Sequence, residues 1–110
     1  MQHPSTLDRE IALWTPQREQ RIALEDVLTA SRPVDHFAYF RRRKHAQAAA
    51  SALDAAGFKV ETSCRGLKVA LQATRDQALG DDEVAAFLAE VIAIVEDARG
   101  EYDGFGAHTA

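Results

Sequence analysis

The chain has 110 residues, 46% of them hydrophobic and 27% charged, enough for one compact core and too few for a second. A formal net charge of −4 argues against a general nucleic-acid binder, and the single cysteine, Cys64, excludes an internal disulfide framework and points to a reducing, cytoplasmic compartment. The N-terminal stretch MQHPSTLDRE has no basic start leading into an apolar core, and no apolar run is long enough to span a bilayer, so neither export nor membrane insertion is expected.

The charge is unevenly spread. Residues 1–40 carry −2, residues 41–68 carry +5 and residues 69–110 carry −7. A basic middle and an acidic end can each meet a partner of opposite sign.

In chain order, the first expected element is helical and covers residues 5–31. Ser5 with Asp8 three positions on resembles a capping box, and Leu7, Ile11 and Trp14 follow at helical spacing. Thr15-Pro16 reads either as a kink or as the start of a second helix that runs through Leu24, Val27 and Leu28 and ends before Pro33. Val34–Phe40 is then expected as a strand, with Val34, His36, Ala38 and Phe40 on one side and Asp35, Phe37 and Tyr39 on the other. Both sides carry apolar groups, so the pattern leaves the direction of His36 open.

After Arg41, Arg42, Arg43 and Lys44, an alanine-rich helix presents Ala46, Ala49, Ala50 and Leu53 and stops at Gly57. Two alternating runs follow, Phe58–Cys64 and Leu67–Ala73. With Arg65-Gly66 as a two-residue loop, Cys64 opposes Leu67, Thr62 opposes Val69, Val60 opposes Leu71 and Phe58 opposes Ala73, so the apolar sets share a face. Such a loop would force Arg65 to positive φ, which leaves a longer loop with a bulge at Gly66 open. Gly80 to Glu83 opens an amphipathic helix through Val84, Phe87, Leu88, Val91 and Val95 that ends at Gly100, and Glu101 to Gly106 forms a short closing strand.

Strand, helix, strand, strand, helix, strand is the order of an α+β, ferredoxin-like βαββαβ sandwich, here expected over residues 34–106 of one domain spanning 1–110. Right-handed crossovers put both helices on one face of a four-stranded antiparallel sheet. The other face is open unless the N-terminal helix or a second copy of the chain covers it.

No catalytic constellation emerges. His3, His36, His45 and His108 are scattered, without metal-ligand spacing. No glycine-flanked serine, Cys/His signature or phosphate loop is present, so neither enzyme activity nor a cofactor is expected. His36 reads as a buried, hydrogen-bonded residue or as a polar contact on a binding face, and Cys64 as a small buried hydrophobe. Arg41 to Lys44, clustered at a helix start where the macrodipole disfavours cations, form one candidate contact surface. The acidic helix residues Asp81, Asp82, Glu83 and Glu90 form the other.

Residues 32–61, RPVDHFAYFRRRKHAQAAASALDAAGFKVE, followed by EYDGFG at 101–106, resemble the regulator of ribonuclease E activity B family over about residues 5–106. The resemblance rests on Val34 with His36, on the helix closing at Gly57-Phe58, and on Tyr102, Asp103, Gly104 and Phe105. It implies a ferredoxin-like sandwich that is not an enzyme and that binds a protein partner, a ribonuclease E-type endonuclease, and restrains RNA cleavage. Direct nucleic-acid binding is not expected on this reading; the alternative is a ferredoxin-like domain, unrelated to RNA turnover, that self-associates through its open sheet face as a homodimer or binds a small ligand.

Overall fold

The structure is a computed structural model that describes residues 5–109. Three helices and four strands follow the order α1 (Thr6–Ala23), β1 (Arg32–Phe40), α2 (Arg43–Ala55), β2 (Lys59–Arg65), β3 (Lys68–Gln77), α3 (Asp81–Asp97) and β4 (Glu101–Ala107). The strands form one antiparallel sheet in the order β2-β3-β1-β4. This is the ferredoxin-like arrangement, with each βαβ crossover leaving room for a strand between its ends.

Burial of β1 alternates strictly: Val34, His36, Ala38 and Phe40 lie inside, and Phe37 is exposed. The inward side meets α2 through Ala46, Ala49 and Leu53, and α3 through Val84, Phe87, Leu88, Val91, Ile92 and Val95. Each such valine, leucine or phenylalanine contributes about 1.5–3 kcal/mol when taken fully out of water. Alanines along α2 let that helix sit close to the sheet with little side-chain bulk.

The β2–β3 pairing differs from the sequence expectation by two residues. Cys64 opposes Val69, Thr62 opposes Leu71, Val60 opposes Ala73, and Arg65 with Lys68 closes a Gly66-Leu67 loop. Gly66 takes the positive φ, +62°, at the first loop position, as a type II′ turn requires, and Arg65 is spared. A two-residue shift preserves the faces, so Val60, Thr62 and Cys64 still point toward the helices.

The N-terminal segment also differs. It is one helix with Pro16 inside it, and it ends at Ala23, so Val27 and Leu28 lie in the turns that follow. Pro16 and Ala12, the residue whose carbonyl loses its donor, are both exposed, where water can satisfy that oxygen. The helix ends early because residues 24–31 serve a buried ion cluster. Arg32 grips both carboxylate oxygens of Asp26 at 2.6 and 2.7 Å, and Arg21 reaches the same carboxylate at 3.1 Å. The Arg32 guanidinium also donates to the Val27 and Ala30 carbonyls, and Arg21 donates to Ala107 O at 2.9 Å, tying the end of α1 to the end of β4.

α1 lies against α3 and the inner side of β4. Ser5 caps it by accepting from Asp8 N at 3.1 Å, and Thr6 donates to Glu96 at 2.8 Å near one end of α3. Trp14, only 4% exposed, packs with its ring tilted 41° against Phe105, centroids 6.0 Å apart. Leu7 packs against the core, whereas Ile11 is exposed, so the expected stripe of three is reduced to two. The outer sheet face, with Phe37 and half-buried Tyr39, is therefore left uncovered by α1.

α3 ends at Asp97, three residues before the expected Gly100. Arg99 adopts the left-handed conformation (φ 62°) that a terminating glycine usually takes. Gly100 serves a different need: a Cβ there would lie 2.3 Å from the Phe40 ring.

Candidate functional site

Among the described residues, His36 is the polar residue with the least exposure, 1%, and it points toward the helices. Placing its proton on Nε2 satisfies both neighbours: Nε2–H donates to Gln77 Oε1 at 3.0 Å, and Tyr102 O–H donates to Nδ1 at 2.9 Å. Phe58 and Phe87 meet the ring edge-on at 5.7 and 5.1 Å, and Phe105 tilts against it at 6.0 Å. Burial pushes the His36 pKa below its ordinary 6.5, outweighing the Gln77 hydrogen bond, and so favours the neutral imidazole. Burial likewise raises the Tyr102 pKa, with Glu10 adding to the effect. The histidine, tyrosine and glutamine form a closed network inside the sandwich. His36 itself is sealed from solvent, whereas Gln77 also borders an open hollow shared with Glu83, Phe87 and Glu90.

The 101–106 segment acquires a physical meaning from this network. Tyr102 pairs with Ala38 and Phe105 with His36, so Asp103-Gly104 together oppose Phe37 in a β-bulge. Regular alternation would send Tyr102 and Phe105 to opposite faces. The bulge, with Gly104 at φ +103°, turns both toward His36. Gly57, at φ +93°, follows the C-cap of α2 as expected.

The candidate acidic surface is partly consumed within the fold. Asp81 accepts from Trp14 Nε1 at 2.9 Å and from Arg18 at 2.8 Å, and these two donors hold its carboxyl below the usual range despite some desolvation. Glu90 is paired with Arg75 at 2.5 Å, and Arg75 lies 4.0 Å over the Phe58 ring. Asp82 and Glu83 are exposed at the start of α3 and have no ion pair among the described residues.

The basic run has the opposite character. Arg41, Arg42, Arg43 and Lys44 are all exposed, none is held by a carboxylate among the described residues, and the first turn of α2 contains no acid. The fold adds cations that the sequence reading did not include. Arg41 shares a hollow of about 150 Å³ with Tyr39, Lys68 and Arg99, with Glu101 the single acid on its rim. Slight desolvation, then Lys44, Arg99 and Arg42, depress the pKa of His45, which places Arg99 within electrostatic reach of the α2 start. The signal for these additions was weak, since Lys68 and Arg99 are separated from the run by 24 and 55 positions.

Among the described residues, no group of three or more histidine, cysteine, aspartate and glutamate side chains could hold a metal. His3 lies outside the described residues, and His108 is exposed on the C-terminal segment. Among the described residues, no helix is long and apolar enough to cross a membrane.

Residues 22–107 match the family model described as Regulator of ribonuclease activity B. The chain belongs to that family. The match includes the His36 network, the bulge at Asp103-Gly104 and the basic run, and it leaves out most of α1. No curated protein matches the chain. The regulator of ribonuclease activity B family is named for regulation rather than catalysis.

Proposed function

We propose that this chain is a non-enzymatic, cytoplasmic bacterial protein that binds a ribonuclease E-type endonuclease and restrains RNA cleavage. The family match supports the regulatory role. The contact surface is the basic patch formed by Arg41, Arg42, Arg43 and Lys44 and extended by Lys68 and Arg99. One observation favours it over the acidic helix: Asp81 and Glu90 are committed to Trp14, Arg18 and Arg75, while the four cations of the run have no carboxylate partner among the described residues. Cations crowded at a helix start are disfavoured by its dipole and by one another, and an acidic surface relieves both effects on docking.

The test is a pull-down of ribonuclease E from the same cell on immobilised protein. Arg41→Ser, Arg42→Ser, Arg43→Ser and Lys44→Ser combined should abolish capture, and Asp82→Ser with Glu83→Ser should leave it intact. Retention by the quadruple variant, with loss in the acidic one, would transfer the contact to α3.

A further inference from the structure

β2 is an end strand of the sheet, and six of its seven residues are exposed. Its outer backbone edge has no strand beside it among the described residues, and α2 runs over its inner side. Because α2 presents alanine there, a hollow of about 330 Å³ is left between helix and strand, lined by Arg43, Ala46, Gln47, Thr62, Cys64 and Val69. On the opposite side of the strand, the outward positions are Lys59, Glu61, Ser63 and Arg65, with Lys68 opposite Arg65. The edge is therefore bordered by Arg43, Lys59 and Arg65 against one acid, Glu61. Cationic edge residues discourage pairing with strands of like charge, but they leave the backbone donors and acceptors open to a strand of opposite charge.

We infer that β2 accepts an extended acidic segment of the partner as a fifth strand, lying between the β2 edge and the flank of α2. Alternation along the added strand fixes its chemistry. Residues turned toward α2 are small and apolar, to fill the hollow over Ala46 and Val69. Residues turned the other way are acidic, to meet Arg65 and Lys59. This rests on the reading that the chain binds its nuclease as a protein, and it names the form of the segment that is recognised.

Cys64, the only cysteine, is exposed rather than buried as its strand position suggested, because β2 is an end strand; it lies in this hollow and serves as a reporter. A ten-residue alternating Glu-Val peptide should slow alkylation of Cys64 in the full chain by at least about fivefold at saturation, since the added strand covers the thiol. Arg43→Ser with Arg65→Ser should remove most of that protection. The same peptide N-methylated on alternate backbone amides, in the register that faces β2, should give none. Equal protection by the N-methylated peptide, no protection by the parent peptide, or protection by a single-stranded RNA oligonucleotide instead would each overturn strand addition. These outcomes do not depend on the nuclease, so failure to capture ribonuclease E stays a separate result.

Discussion

His36 concentrates the chemistry of the core in one side chain. Its folded pKa is lowered by burial, so between that value and the ordinary 6.5 the unfolded chain binds a proton that the folded chain excludes. Stability is therefore complete above about pH 6.5 and falls as the pH drops below it. Urea midpoints measured from pH 8 to pH 5 should show this decline, and His36→Gln should flatten most of it. Tyr102→Phe strands Nδ1 without its donor and should cost about 1–3 kcal/mol in the same measurement. Gly104→Ala forces a side chain onto positive φ and should cost about 1–3 kcal/mol while leaving helix content unchanged by circular dichroism. The alternation in VDHFAYF was readable, but the direction of His36 was not, because Phe37 and Tyr39 make the opposite side equally apolar. The bulge decides it by bringing Tyr102 and Phe105 together on one side, an event of pairing that no local pattern announces.

At the level of elements, α1 is held by few contacts. Trp14 is the only tryptophan, so its fluorescence reports on docking directly. Asp81→Ala removes the acceptor for both Trp14 and Arg18, and it should shift the emission to longer wavelength with the sheet signal retained. The Asp81 pKa is depressed below its ordinary 3.8, so its contribution holds above that value and disappears as the pH falls through the lower folded one. The loop after α1 is anchored more firmly. Asp26→Ala leaves Arg32, 6% exposed, without its carboxylate, and it should cost about 3–5 kcal/mol in urea denaturation. Helix α2, helix α3 and the presence of the hairpin were legible because periodicity agreed with tertiary packing, but the hairpin register and the end of α3 were not. The end of α1 was not. Leu24, Val27 and Leu28 continue an apolar spacing that the buried pairing of Asp26 with Arg32 overrides.

Over the whole molecule, charge is segregated in space as it is along the chain. The acidic excess of the C-terminal third is partly spent on bracing α1 and β3, whereas the basic segment stays outside and gathers Lys68 and Arg99 around Arg41. The sequence exposed the run itself but not this convergence, which depends on the β2–β3 loop and the end of α3 meeting the start of α2. The decisive quantity is the rate at which a purified ribonuclease E-type endonuclease cleaves RNA while this chain is titrated in. Cleavage should fall with rising chain concentration and level off once the nuclease is saturated, and the variant carrying serine at 41 to 44 should have no effect. Unchanged cleavage at saturating chain, or cleavage by the chain in the absence of the nuclease, would contradict a regulator that acts by binding.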